Sequence, residues 1–349
     1  LQTSAAATPT QTHTTHETHS VTRIIKITRP WRGTAHGTHP GRTDMHYPTR
    51  HPLPTLEDRI VAHLSLSPAT RSQLCEALSA SATSQGIDVS RVRAVGVGAP
   101  IPMGRHARVA SDAYPSVEDV ASVTGRWWQA VPVVDNTVRM AAFAEGLWGA
   151  GSGMSSFIYL RLSGGVGGCV VSDFRLVGEA TGLAGELGHI TVAGNDALCG
   201  CGKHGCVETL ASVPALCERA GARDLRELRA AVHADDERAL AALEGAARAI
   251  GYVLGSAALL INPKAIIVAG EIVDAFPQIK EDIAAHMRAE LLPVMEWDID
   301  VVAASLGPIG AAQGCAYIAA HPSGDEDADR ERTPHRGGAT ASPGVGVRA

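Results

Sequence analysis

The stretch from Gly182 to Glu208 constrains this chain more than any other, because it gathers four metal-ligand side chains in one short loop. His189, Cys199, Cys201 and Cys206 offer one imidazole and three thiolates, a complete tetrahedral set for Zn²⁺ with no position left open for water. A closed site of this kind is structural, so we expect zinc to lock the loop rather than to activate a nucleophile. The alternative is a glycine-rich surface loop with incidental cysteines, but three cysteines within eight residues are far more typical of a metal site.

Two motifs in this stretch resemble those of a known family. GELGH occupies residues 185–189 and CGCGKHGCVE residues 199–208, and together they are similar to the signature of the ROK family. That family groups bacterial sugar kinases with sugar-responsive transcriptional repressors. The similarity of pattern extends from about residue 93 to about residue 319. It implies an α/β, two-lobed actin–hexokinase-type (ribonuclease H-like) fold, with the ligand in the cleft between the lobes.

Apolar strands alternate with apolar-striped helices along the chain, which by itself predicts an α/β fold. We expect a small lobe over residues 53–130, completed by a helix near residues 310–320, and a large lobe over residues 131–309 that contains the zinc and sugar sites. The expected strands are 93–98, 131–135, 157–162, 169–172, 264–268 and 300–303, with a tight hairpin at 163–168. The expected helices after residue 130 are 136–146, 212–220, 225–233, 237–261, 275–292 and 310–319.

The segment 56–84 has two interpretations. Its apolar residues suggest one or two amphipathic helices with a break near Pro68. The string ATRSQLCEALSAS at residues 69–81 faintly resembles the second helix of a helix-turn-helix, which would require a recognition helix immediately after it. A buried strand is predicted there instead, so a helix that covers the core is favoured over a DNA-binding unit.

Composition narrows the class of protein. The formal charge of −6 over 349 residues gives no support for a broad nucleic-acid-binding face. The four cysteines outside the metal loop are scattered in apolar surroundings, which indicates a reducing cytoplasm and not a disulfide framework. No apolar run approaches the roughly 20 residues that cross a bilayer, so we expect no membrane partner. Residues 1–52 and 322–349 lack any helical or strand period, and we predict that both are disordered.

The resemblance also implies a sugar site. In the sugar kinases of the family, the positions that match Asn136, Glu186, His189 and Glu208 hold the sugar. Sugar hydroxyls both donate and accept, so a site that recognises them needs short, fixed carboxylates and amides. We expect the metal to fix the loop and the loop to aim the two glutamates. The alternative is that these polar residues only cap and solvate the loop.

The parts that phosphoryl transfer requires are altered. Kinase members carry Asn-Asp at the start of this helix, and that Asp is the base; here Asn136 is followed by Thr137. Asp135 ends the preceding strand, so its side chain should leave the backbone in a different direction. A general base contributes about 10²–10⁴-fold to the rate, so its loss would cripple a kinase. Gly164 stands where the family commonly has a Thr that faces phosphate.

Two further points concern ATP. The family's Asp-x-Gly-Gly-Thr phosphate loop has no match, and the nearest string is Arg32-Gly33-Thr34. If kinase activity were retained, ATP and Mg²⁺ would bind beside glycines of the hairpin and of a strand end, whose backbone N–H groups can approach an anion. These glycines are Gly164, Gly165, Gly167, Gly168 and Gly270.

We therefore predict a zinc-stabilised, sugar-binding effector domain of a ROK-type transcriptional regulator without kinase activity, and no catalytic residue. The alternative is an ATP-dependent sugar kinase of the glucokinase or N-acetyl amino sugar kinase type, and a third possibility is a decaying gene product without a role. The expected ligand is a sugar or amino sugar. DNA would be a partner only through a winged helix that we do not find in residues 1–92, and a homodimer or homotetramer is expected.

Overall fold

The computed structural model describes residues 59–63, 94–100, 132–178, 184–292 and 299–320, together with single positions and short runs between residues 75 and 92 and residues 125, 128 and 130. The predicted tails, 1–52 and 322–349, lie outside the described residues. The strands are β1 Arg59–His63, β2 Ala94–Ala99, β3 Pro132–Asn136, β4 Phe157–Leu162, β5 Val166–Ser172, β6 Arg175–Leu176, β7 Ala265–Ala269 and β8 Asp300–Ala303. We number the fully described helices α1 Thr137–Trp148, α2 Glu208–Ala211, α3 Val213–Ala220, α4 Leu225–His233, α5 Glu237–Ile261, α6 Glu271–Ala275, α7 Ile279–Ala289 and α8 Gly310–Ala320.

The strands form two sheets. The first has the order β1-β2-β3 and is parallel throughout. The second has the order β6-β5-β4-β7-β8, with the β4–β5–β6 part antiparallel and the β4–β7–β8 part parallel. β4 and β7 read as almost continuous apolar runs because both of their faces are covered by protein. The predicted boundary between the two lobes lies at residue 130. The first sheet continues beyond this boundary, because its strand β3 ends at Asn136.

Helix α8 packs closely against the first sheet and against α1. A Cβ at Gly96 of β2 would collide with the carbonyl of Cys315, and one at Gly314 would collide with the carbonyl of Met140. The two glycines therefore permit backbone-to-backbone contact that no larger residue allows. Helix α1 follows β3 directly, and this packing fixes its first turns, at Met140, against α8.

The long helix α5 forms much of the core beneath the second sheet. Its buried stripe includes Ala246, Ile250 and Leu254 and packs with apolar residues of α3 and α7. Within the described part of the chain, α5 alone is long and apolar enough to cross a membrane, but more than half of its apolar window is buried inside the protein. We therefore interpret α5 as a core helix.

Most predicted elements are confirmed, and three predictions are wrong. Strand β4, helices α4 and α5 and strand β8 have the predicted bounds. Residues 59–63 were expected to be helical, but they form β1, because the β-branched pair in RIVAH finds a parallel partner in β2. Strand β5 begins at Val166 rather than at Cys169, since its glycines pair with β4 and leave only 163–165 in the turn. The predicted helix 275–292 is shortened to α7, Ile279–Ala289, because Pro277 lacks the N–H that a continuous helix needs, and Ala275 instead ends the separate helix α6.

Candidate metal loop and ligand site

The four predicted metal ligands converge. The Nδ1 or Nε2 nitrogen of His189 and the Sγ atoms of Cys199, Cys201 and Cys206 all lie within 4.8 Å of one another. The His189 Nδ1 atom is 3.7 Å from Cys199 Sγ, and Cys201 Sγ is 3.7 Å from Cys206 Sγ. The protein therefore has a Cys₃His group that could hold a metal ion, as the spacing in the sequence predicts.

The loop that carries these ligands is folded by its own hydrogen bonds. Antiparallel bridges join Thr191 to Cys206 and Leu198 to His204, so the loop doubles back on itself. Gly205 makes this possible, because its φ is +80° and a Cβ there would strike the carbonyl oxygen of Asn195. The geometry of the metal group is therefore set by backbone structure and not by chance contacts of cysteines.

The pKa values of the three thiols depend on burial and on the hydrogen bonds that the thiols make with one another. Burial raises the pKa of Cys199 and of Cys206, and it acts in the same direction on Cys201. For Cys201, however, hydrogen bonds from the Lys203 backbone and from the other two thiols outweigh burial and lower the pKa. A metal ion must displace the protons that remain, so its affinity will depend on pH.

Glu208 connects the metal loop to the β4–β5 turn. It is the first residue of α2, two positions after Cys206, and its Oε2 accepts a hydrogen bond of 2.9 Å from the backbone N–H of Val166. Its other oxygen, Oε1, lies 3.5 Å from Cys199 Sγ. The same carboxylate fills the space beside Gly165, where a Cβ would lie 2.7 Å from Oε2.

Glu186 lies beside this group at the start of the short 3₁₀ helix Leu187–His189. The residue as a whole is exposed, but neighbouring protein atoms remove water from around its carboxyl and raise its pKa. The imidazole of His189 opposes this shift and the carboxylate of Glu208 adds to it. Three of the four predicted sugar residues, Glu186, His189 and Glu208, are thus brought together.

Asn136 and Thr137 lie where β3 passes into α1. The Asn136 side chain caps the helix, with its Oδ1 accepting from the backbone N–H groups of Val138 at 2.8 Å and Arg139 at 3.2 Å. Thr137 is only 1% exposed, and its hydroxyl has no hydrogen-bond partner among the described residues. Asp135 Oδ1 accepts from the Asn136 backbone N–H at 2.6 Å and from Arg139 Nε at 3.1 Å.

The sequence reasoning missed Arg139. This side chain is 5% exposed, forms an ion pair with Asp135, and its NH1 nitrogen has no partner among the described residues. The signal available in the sequence was the Asp-Arg spacing of four residues across a helix start, which places the two side chains on one face. Burial raises the pKa of the Cys169 thiol to about 12; Arg139 opposes this shift, while Asp135 and Glu186 add to it. The charges at the start of α1 and the charge of Glu186 therefore both act on the Cys169 thiol.

The hairpin glycines are mostly packed against protein. A Cβ at Gly167 would contact Val138 of α1, and one at Gly168 would contact Leu187 and the carbonyl of Gly185. A Cβ at Gly164 would meet nothing within 4 Å.

Nearby backbone amides already have partners. The N–H of Val166 donates to Glu208, and the N–H of Glu271 donates to the Ser163 hydroxyl at 3.3 Å. Gly270 approaches the backbone carbonyl of Leu162, and its φ of +104° is one that only glycine adopts without strain.

The model of the ROK family matches residues 67–321, and the chain therefore belongs to the ROK family. Its fold is the two-lobed actin-like fold of the family's hexokinases and glucokinases. The predicted family and fold are confirmed.

Individual relatives include both kinases and repressors. A glucokinase of Halalkalibacterium halodurans is 30% identical over 206 residues, which cover 53% of this chain and 62% of the relative. A xylose repressor of Bacillus spizizenii is 28% identical over 193 residues, covering 54% of this chain and 50% of the relative. The matched part thus spans about half to three-fifths of these curated relatives. A ROK family glucokinase from Streptomyces griseus, solved in complex with glucose and AMPPNP, superposes with a TM-score of 0.61 at 26% identity, covering 71% of this chain and 88% of that one.

Proposed function

We propose that this chain is the zinc-stabilised, sugar-binding effector domain of a ROK-type transcriptional regulator, and that it binds its sugar without phosphorylating it. The observation that carries the proposal is that Thr137 is the first residue of α1, directly after the cap Asn136. The resemblance to the ROK kinases implies that their catalytic carboxylate stands at this position. A threonine hydroxyl does not act as a general base near neutral pH. The nearest carboxylate, that of Asp135, is held by Arg139 and by the helix start.

Zinc fits the Cys₃His group. Zn–S bonds of about 2.3 Å in a tetrahedron separate the ligand atoms by about 3.8 Å. The separation of 3.7 Å between Cys201 Sγ and Cys206 Sγ agrees with this value, and that of 3.7 Å between Cys199 Sγ and His189 Nδ1 is close to the about 3.6 Å of a sulfur–nitrogen pair on zinc. All four ligand atoms lie within 4.8 Å of one another, so the wider pairs would draw together on binding the ion. His189, Cys199, Cys201 and Cys206 would hold Zn²⁺ as a closed structural site, which supplies a crosslink to the loop and no open position for chemistry.

We assign sugar contact to Asn136, Glu186, His189 and Glu208. The crowded carboxyl of Glu186 supports this assignment, because a poorly hydrated carboxylate gains when a ligand hydroxyl donates to it. Glu208 offers its Oε1, whose contact is the Cys199 thiol at 3.5 Å, while its Oε2 keeps the Val166 N–H. Because zinc binding removes the thiol proton, a sugar hydroxyl can donate to Oε1 in its place. The ligand class is a hexose or an N-acetylated amino sugar.

The second candidate function is an ATP-dependent sugar kinase, which the likeness to two glucokinases favours. ATP and Mg²⁺ would then approach Gly164, Gly165, Gly167, Gly168 and Gly270. The hydrogen bonds of the hairpin argue against it, because the amides of Val166 and Glu271 already donate to oxygens of the chain itself. A phosphate cradle requires such amides to point at the ligand.

The proposed partners, localisation and oligomeric state follow from the proposal that the chain belongs to a transcriptional regulator. DNA would be bound only through a winged helix-turn-helix segment, and the chain would act in the cytoplasm as a homodimer or homotetramer.

Calorimetry with a panel of hexoses and N-acetylated amino sugars tests the proposal. We expect one sugar to bind the zinc-loaded protein, Glu208→Ala to abolish binding, and Glu218→Ala, an exposed glutamate of α3, to leave it unchanged. A coupled assay for ADP should detect no turnover. If no sugar gives heat or a thermal shift, the sensor function is wrong. Turnover that Asp135→Ala abolishes would establish the kinase instead.

A further inference from the structure

The three thiols of the metal loop differ in their access to solvent. Cys199 and Cys206 are 3% and 0% exposed, whereas Cys201 is exposed. A Cβ added at Gly200 or at Gly202 would meet nothing within 4 Å, so the chain on either side of Cys201 borders open space. A small solute that approaches the metal group from water therefore reaches the Cys201 sulfur first.

Cys201 has a second thiol within reach. Its Sγ lies 3.7 Å from the Sγ of Cys206. The Sγ of Cys199 instead contacts His189 Nδ1 at 3.7 Å and Glu208 Oε1 at 3.5 Å. Because the sulfurs of a disulfide lie about 2.05 Å apart, those of Cys201 and Cys206 would have to approach by about 1.7 Å.

The backbone at the two thiols differs in how it is held. The carbonyl of Cys206 accepts hydrogen bonds from Asn195 Nδ2 at 3.2 Å and from the Thr209 hydroxyl at 2.8 Å. Cys201 lies in a turn, with open space beside the following Gly202. We therefore expect Cys201 to move toward a stationary Cys206 when the two sulfurs approach.

We propose that Cys201 is an oxidation site, at which a peroxide joins Cys201 and Cys206 in a disulfide and so removes two zinc ligands. This inference rests on the zinc part of the proposed function. It assigns a chemical role to the exposed position of Cys201, which a purely structural metal site does not require.

The reaction proceeds in two balanced steps. The Cys201 thiolate attacks one oxygen of hydrogen peroxide, the O–O bond breaks, and hydroxide leaves, which yields a sulfenic acid on Cys201. The Cys206 thiolate then attacks the sulfenic sulfur, the S–S bond forms, and a second hydroxide leaves. In total the two thiolates lose two electrons, and the peroxide is reduced to two hydroxide ions.

The disulfide would leave only His189 and Cys199 as metal ligands, which is too few for a closed structural zinc site. The loop that zinc locks also carries Glu208, two positions after Cys206, and Glu208 Oε1 contacts Cys199. Loss of the metal should therefore loosen the side chains that are proposed to hold the sugar. Peroxide would in this way lower the affinity of the protein for its sugar.

Titration of zinc-loaded wild-type protein with hydrogen peroxide tests the site. A chromogenic chelator measures released zinc, and differential alkylation with peptide mass spectrometry locates the oxidised cysteines. We expect zinc release in step with a new disulfide between Cys201 and Cys206, and reversal by a thiol reductant with added zinc. The buried Cys169, Cys217 and Cys315, which lie outside the loop, should stay reduced and serve as internal controls.

Cys199→Ser and Cys206→Ser form a matched pair, because each removes one buried zinc ligand. Cys199→Ser keeps the proposed pair of thiols and should still form the disulfide with peroxide. Cys206→Ser lacks the second thiol and should accumulate a sulfenic acid that dimedone labels at Cys201. A bridge between Cys199 and Cys201 that forms as readily in Cys206→Ser would overturn the proposed pairing.

The remaining outcomes separate this proposal from the proposed function. If zinc stays bound in peroxide, or if the disulfide joins other cysteines, the oxidation site is wrong and the zinc site stands. A wild-type protein that binds no zinc would refute both. For the sugar that calorimetry identifies, the oxidised protein should show weaker binding than the reduced, zinc-loaded protein, and an unchanged affinity would overturn the effect of peroxide on sugar binding.

Discussion

The carboxylate of Glu145 is expected to be the most sensitive single group for stability among the described residues. It is 2% exposed and lies near the end of α1, yet it holds the loop between β8 and α8. Its Oε1 accepts from the backbone N–H groups of Ser305 at 3.0 Å and Leu306 at 2.8 Å. Its Oε2 accepts from the Ala150 N–H at 2.7 Å and the Ser305 hydroxyl at 3.2 Å. One side chain therefore connects α1 to the segment that leads from the second sheet into α8.

The magnitude follows from these four bonds. Hydrogen bonds to a charged group contribute about 1.5–3 kcal/mol each, and a buried amide left without a partner costs about 1–3 kcal/mol. A simple sum over the three amides exceeds about 4–5 kcal/mol, a loss of stability that single substitutions rarely pass. We expect a smaller loss than this sum, because water will enter the space left by the side chain and hydrate the freed amides. We expect Glu145→Ala to lower the free energy of unfolding by about 3–5 kcal/mol. Glu145→Gln, which turns one oxygen into a donor facing donors, should lower it by about 1.5–3 kcal/mol.

Urea unfolding of the metal-loaded protein, followed by circular dichroism and tryptophan fluorescence, measures these differences. Ser305→Ala is the matched control, since it removes only the longest of the four bonds at an exposed residue and should change the free energy of unfolding by about 1 kcal/mol or less. If Glu145→Ala lost no more stability than Ser305→Ala, the carboxylate would not hold the loop and the argument would be refuted.

Three further predictions concern the site and the packing around it. Cys206→Ser should lower the zinc content below one ion per chain and abolish the rise in melting temperature that zinc produces; an unchanged metal content by elemental analysis would contradict the Cys₃His site. Thr137→Asp should not produce ADP from ATP and sugar, because the amide of Glu271 stays bonded within the chain; turnover in the coupled assay would contradict this. Gly96→Ala should lower the free energy of unfolding by about 1–3 kcal/mol, because its Cβ would strike the carbonyl of Cys315, and a variant as stable as wild type in urea would show that α8 can shift.

The elements that the sequence predicted well are those with a strong local pattern. Helix α5 has a long apolar stripe that begins after the N-cap Asp236, so its bounds follow from period and capping. Strand β1 was missed because five residues are too few to separate a helical from an extended pattern, and its identity depends on the partner that β2 provides. The break between α6 and α7 at Pro277 was readable in principle, because proline inside an apolar stripe marks a helix boundary.

The candidate site divides in the same way. The identities of His189, Cys199, Cys201 and Cys206 are readable from composition and spacing, because their chemistry is unusual enough to stand out over eighteen residues. Glu208 was predicted to face the ligand, but its bond to Val166 joins residues 42 apart and could not be read from spacing. Arg139 was overlooked because an arginine on a helix is usually exposed, and only packing made it a buried group.

By itself, the sequence determined the α/β alternation and predicted the Cys₃His group, because both depend only on residue type and local order. The resemblance to the ROK family added the proposal that Thr137 takes the place of the kinase base. The tertiary structure alone decided that the Thr137 hydroxyl and the Arg139 guanidinium are buried, that Asp135 is engaged, and that Glu145 reaches a loop 160 residues away. These features depend on which distant segments cover a side chain, and burial is what turns an ordinary polar residue into one that must find a partner.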